Sequence, residues 1–116
     1  MDTVTMIVQE PPYGTEKGWN ALRLAQSLLA IETHVNVFLL GDAVGIAKAG
    51  QEVPTGYYHL GKMLEQLINK GAEIRACATC CKARGLKEED LVKGAVIGGM
   101  SDLAHWTKES RQVITF

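Results

Sequence analysis

The sequence predicts an α/β chain, a three-layer fold with a mostly parallel five-stranded sheet flanked by helices. Three observations predict it. β-branched apolar runs alternate with amphipathic stretches along the whole length. The segments that connect them are short, as in open α/β sheets. Val35-Asn36-Val37-Phe38-Leu39-Leu40 is almost continuously apolar, which is the pattern of a strand buried on both faces.

Thr3–Gln9, β-branched and apolar and closed by Pro11-Pro12, reads as the first strand. Between Trp19 and Ile31, Ala21, Leu22, Leu24, Ala25, Leu28 and Leu29 form a wide apolar stripe opposite Asn20, Arg23 and Ser27, predicting a helix. Val35–Leu40 is the second strand and ends at Gly41-Asp42. Ala43–Lys48 reads as a short helical turn and Ala49–Gly56, containing Pro54, as a loop. The second long helix is predicted over Tyr57–Asn69, where Tyr57, Leu60, Met63, Leu64, Leu67 and Ile68 recur at helical spacing and Gly71 suits the position after the end.

Glu73–Cys77 is a strand that runs directly into a cysteine cluster, Cys77-Ala78-Thr79-Cys80-Cys81. Lys87–Leu91 reads as a helical turn and Ala95–Gly98 as a strand. Ser101 is placed to cap a helix over Asp102–Glu109, and Arg111–Phe116 closes the chain as the fifth strand. No internal repeat or change of composition divides the chain, so residues 1–116 are expected to form a single domain.

Composition narrows the function. Twelve basic residues against 13 acidic ones leave a net charge of −1, which argues against nucleic-acid binding through phosphate neutralisation. No apolar run approaches the roughly 20 residues needed to span a bilayer, and the N-terminus lacks the features of a signal peptide. A cytoplasmic protein without membrane association is the expectation.

All three cysteines lie within five residues, so they cannot form a disulfide framework that links distant segments. In a reducing compartment such a cluster is metal-binding, redox-active, nucleophilic or core filling. Zinc needs about four ligands, and the chain offers three crowded thiols plus the scattered His34, His59 and His105. Neither a metal nor a cofactor is expected. Cys77-x-x-Cys80 has the spacing of thiol redox motifs. A cysteine leaving a strand into a helix start is also favoured as thiolate, the nucleophilic form, with Lys82 and Arg84 adding positive charge within a turn.

Other candidates have simpler readings. Gly56–Lys62 fits GxxxxGK by letters, but Met63 stands where Ser or Thr should hold magnesium, and no strand precedes it. Asp42 follows a strand end and could share the edge that holds Cys77, although capping the next turn is the commoner role. Tyr13, Trp19 and Trp106 read as packing residues, and the histidines as surface or interface residues.

Cys77, Lys82-Ala83-Arg84-Gly85, Gly98-Gly99-Met100-Ser101-Asp102-Leu103 and the terminal Val113-Ile114-Thr115-Phe116 together resemble the DsrE/TusD family of small sulfur-relay proteins. Pro12-Tyr13-Gly14, Ala21-Leu22-Arg23-Leu24-Ala25 and Val37–Val44 are similar to the first half of that family, so the likeness spans nearly the whole chain. The resemblance implies the DsrEFH-like five-stranded parallel sheet, trimers or hexamers, and a cysteine that accepts sulfane sulfur as a persulfide. It assigns that role to Cys77, eight residues before Gly85, and implies sulfur-donor and sulfur-acceptor proteins as partners.

On this reading Cys77 is the sulfur carrier of a sulfurtransferase component, with Cys80 as resolving thiol or second carrier. Thr79, Lys82, Arg84 and Asp42 are supporting residues. Cys80 and Cys81 are additions to the family pattern, which leaves two alternatives open: an oligomeric scaffold with structural cysteines, and a thiol redox protein using Cys77 and Cys80.

Overall fold

A strand with apolar side chains on both faces belongs inside a sheet, and His34–Leu39 (β2) takes that place. The computed structural model describes residues 1–116. In it β2 lies between Thr3–Val8 (β1) and Glu73–Cys77 (β3), with Val96–Gly98 (β4) and Gln112–Thr115 (β5) at the edges. The order is β4-β3-β2-β1-β5 and every pairing is parallel. The five-stranded sheet flanked by helices is thus present, and wholly parallel.

Register sorts the side chains into two faces. Val4, Met6 and Val8 stand beside Val35, Val37 and Leu39, and these beside Ile74 and Ala76. All eight are buried and meet Ala21, Leu22 and Ala25 of α1 (Lys17–Ala30) and Leu60, Leu64 and Leu67 of α2 (Leu60–Asn69) in one hydrophobic core. Each such side chain contributes about 1.5–3 kcal/mol, so this face supplies much of the stability.

The opposite face, covered by α4 (Met100–Glu109), mixes packing with polar links. Trp106 meets Phe38 edge-on at 6.0 Å between ring centroids, and the Arg75 guanidinium lies 5.0 Å from the Trp106 ring. Arg75 also pairs with Asp102 at 2.6 Å. The Asn36 amide donates to the Thr5 hydroxyl, which shares a hydrogen bond with Ser110 at the end of α4.

Strand boundaries agree with the sequence reading to within a residue or two, whereas three helix starts differ, the first helix beginning at Lys17 and not at Trp19. The second helix begins at Leu60 and not at Tyr57. Pro54–Tyr57 forms a turn, with the Tyr57 N–H donating to Pro54 O and Gly56 at φ +93°, and Tyr57 is 68% exposed. His59 is the cap: its Nδ1 accepts from the Lys62 N–H, while Nε2–H donates to Gln51 O, which fixes a neutral tautomer. In α4 the cap is Gly99, whose N–H donates to the Asp102 carboxylate at 2.8 Å. Ser101 lies within the first turn of that helix and does not cap it.

Candidate functional site

In a wholly parallel sheet every strand ends at the same edge, and the turns that leave it are where side chains converge. Cys77 is the last residue of β3, and α3 (Ala78–Ala83) follows at once. The chain cannot turn this tightly without placing residues 77 and 80 side by side, since Cys77 occupies the cap position and Cys80 lies one turn on. On the neighbouring strand β2 ends at Leu39, and Gly41 opens a 3₁₀ segment, Gly41–Ala47. Gly41 sits at φ +56°, in the left-handed region open to glycine, and its N–H donates to Cys80 Sγ at 3.1 Å.

The next residue completes the junction. Asp42 Oδ1 accepts from Arg84 Nε at 3.1 Å and Nη2 at 2.7 Å, while Arg84 Nη1 donates to Cys80 O at 3.1 Å. The end of β2 therefore grips α3 at both its second thiol and its last residues. The aspartate does not cap its own turn; it links two strand ends. This pairing holds the Arg84 guanidinium above its ordinary pKa, chiefly through the hydrogen bond to Asp42.

The three thiols are unlike. Cys77 is 6% exposed, and its Sγ lies 3.3 Å from Thr79 Oγ1. Burial pushes this thiol up, but hydrogen bonds from the Cys80 and Thr79 side chains and from the backbone N–H groups of Cys80 and Thr79 outweigh it, so its pKa falls. Those amides favour the thiolate without closing a capping hydrogen bond at the present sulfur position. Cys80 is partly exposed and shifts upward, first through burial and then because it donates to Cys77, against the opposing Gly41 amide. Cys81, 1% exposed, is pushed up by burial and by the charges of the other two.

The sequence reading looked to Lys82 and Arg84 to favour the thiolate of Cys77. Lys82 is exposed in the last turn of α3, Arg84 is engaged with Asp42, and the main causes of the shift at Cys77 lie elsewhere. With only six residues, α3 has little macrodipole to offer either. The donors that favour the charge come from Thr79, whose hydroxyl touches the sulfur, and from Cys80. Thr79 was legible only as a member of the cluster, and Gly41 was missed altogether. A glycine directly after a buried strand was the available signal, but it reads equally well as a simple turn.

No enclosed cavity holds Cys77 and Cys80. The depression that touches this turn has a volume of about 240 Å³ and is lined by Ala78, Cys81, Lys82, Gly85, Leu86 and Ile97 among others, leaving out Cys77 and Cys80. His34, His59 and His105 do not join the thiols, and no group of three or more His, Cys, Asp or Glu side chains is arranged to hold a metal ion. His34 instead pairs with Glu73 at 2.8 Å. No helix is long and apolar enough to cross a membrane.

A family model described as the DsrE/DsrF-like family matches residues 2–116. The chain is 43% identical over 116 residues to an uncharacterized protein of Methanopyrus kandleri, covering 100% of this chain and 95% of that one. It is 35% identical over 118 residues to protein YchN of Escherichia coli, with both chains fully covered. The crystal structure of that YchN superposes with a TM-score of 0.94 over 100% of both chains. A protein of unknown function from Methanobacterium thermoautotrophicum shares the fold at a TM-score of 0.82 and 16% identity, again over both whole chains. The chain belongs to the DsrE/DsrF-like family.

Proposed function

We propose that this DsrE/DsrF-like chain is a sulfur-relay protein that carries sulfane sulfur as a persulfide on Cys77 and hands it to a partner protein. The observation that carries this reading is the contrast among the thiols: the pKa of Cys77 is lowered by neighbouring hydrogen-bond donors, while those of Cys80 and Cys81 are raised. Only the thiolate attacks sulfur efficiently. The Cys77 thiolate attacks the outer sulfur of a donor persulfide R–S–SH, the S–S bond of the donor breaks, and R–S⁻ leaves. Cys77–S–SH remains. An acceptor thiolate then takes the outer sulfur and regenerates the Cys77 thiolate.

The lack of a cavity around Cys77 and Cys80 supports donors and acceptors that are themselves proteins, since a small substrate would be held in a cleft. Self-association into trimers or hexamers belongs to the same reading. It is supported by apolar side chains left exposed on the sheet edges and the start of α4: Val96, Val113 and Met100.

The test is intact mass after brief exposure to inorganic polysulfide, quenched early with an alkylating reagent. The wild-type chain is expected to gain one sulfur per subunit, and Cys77→Ser is expected to lower the adduct by at least about tenfold. An adduct undiminished in Cys77→Ser would sink the assignment.

A further inference from the structure

We infer that Cys80 discharges the persulfide internally, so that when no acceptor is docked the sulfur leaves as hydrosulfide and a Cys77–Cys80 disulfide remains. This rests on the carrier reading above and adds a second exit for the sulfur. The two residues stand one helical turn apart, with Cys77 at the cap and Cys80 within α3. Helix geometry at that spacing separates their Cα atoms by about 5 Å, inside the window a disulfide accepts.

The structure also singles out which thiol does this. Cys81 follows within the same turn, but its side chain is packed in the core at 1% exposure. Cys80 is partly exposed and is fixed from three sides: the Gly41 N–H reaches its sulfur, Arg84 holds its carbonyl, and Asp42 holds Arg84. An amide whose nitrogen lies 3.1 Å from the sulfur is a donor that stabilises a sulfur anion wherever one forms on Cys80. Simple core filling needs no such grip on a partly exposed side chain.

The step balances without an outside oxidant. In the loaded state the terminal sulfur of Cys77–S–S⁻ takes the proton of the Cys80 thiol. The Cys80 thiolate, held by the Gly41 amide, attacks the inner sulfur, which is Cys77 Sγ. The persulfide S–S bond breaks, HS⁻ leaves with the electron pair, and the Cys77–Cys80 bond forms. The sulfane sulfur is reduced to sulfide and the two cysteines are oxidised to a disulfide. Resetting the chain then requires an external dithiol reductant.

The experiment loads wild type and Cys80→Ser with inorganic polysulfide, removes excess donor by gel filtration, and follows free sulfide and intact mass without reductant. Wild type is expected to release about one sulfide per loaded chain and to end two hydrogens lighter than the reduced chain, with the loss mapped to Cys77 and Cys80. Cys80→Ser is expected to keep its persulfide for on the order of tenfold longer. Cys80→Ala serves as a second variant should the serine perturb folding. Persulfides of equal lifetime on wild type and both variants would overturn the discharge and leave the carrier reading standing. Absence of any adduct on wild type and variants would overturn both.

Discussion

Two turns at the same edge of the sheet are held together by different forces. After β1, Tyr13 stacks on Tyr58 at 5.9 Å, Tyr58 on Trp19 at 4.8 Å, and the Arg23 guanidinium lies 4.5 Å from the Trp19 ring. The Tyr13 hydroxyl donates to Gln51 Oε1 and accepts from the Leu60 N–H, although the residue must hold φ at +64° to do so. Aromatic faces and polar tips there are largely satisfied by one another. After β3, by contrast, two thiols share donors that favour charge on one of them, and the second is clasped by the neighbouring strand end. The first turn is held by stacking area, the second by hydrogen bonds to sulfur.

That contrast yields separable predictions. The largest effect on folding is expected at the β1 end. Trp19→Ala removes one end of the ring stack and the seat of Arg23, and from partial burial it should cost about 2 kcal/mol in denaturant unfolding. Its thiol pH profile should stay that of the wild type, because nothing in the stack touches Cys77. A changed thiol profile in the folded variant would erase the distinction between the two corners.

A smaller effect is expected at the β3 end. Thr79→Val takes away one hydroxyl that faces Cys77 Sγ and leaves the backbone donors in place. The Cys77 proton should then come off at higher pH, closer to the ordinary thiol range, and polysulfide loading at neutral pH should slow by roughly a few-fold. The sign follows from the chemistry. Loading rises as pH rises through the Cys77 titration and then levels off, so a variant with a higher pKa lies lower on that curve at neutral pH. Unchanged loading would mean that the hydroxyl at 3.3 Å contributes nothing to the anion.

The fold was readable because burial writes itself into the order of residues. The apolar alternation of Val4, Met6 and Val8, and the unbroken run through Val37 and Leu39, could be buried only in a central parallel sheet. Tyr57 shows the limit. It stands at helical spacing from Leu60 and Leu64, yet Gly56 and the His59 cap place it outside the helix and in solvent. At the cysteine turn, proximity along the chain suggested Cys77 and its neighbours but mistook the basic residues for its helpers. Arg84 finds Asp42, 42 positions away, and Cys80 finds Gly41, 39 positions away. Such pairs exist only once β2 and β3 lie side by side.

The most direct test of the central claim is a pH titration of the chain with its cysteines ¹³Cβ-labelled, assigned by single substitutions. The resonance that moves first reports where the charge settles among the neighbouring thiols. The account predicts that Cys77 moves first, below the ordinary thiol range, with Cys80 and Cys81 following above it. A Cys80 or Cys81 resonance that moves before Cys77, or a Cys77 that titrates no lower than an ordinary thiol, would contradict it.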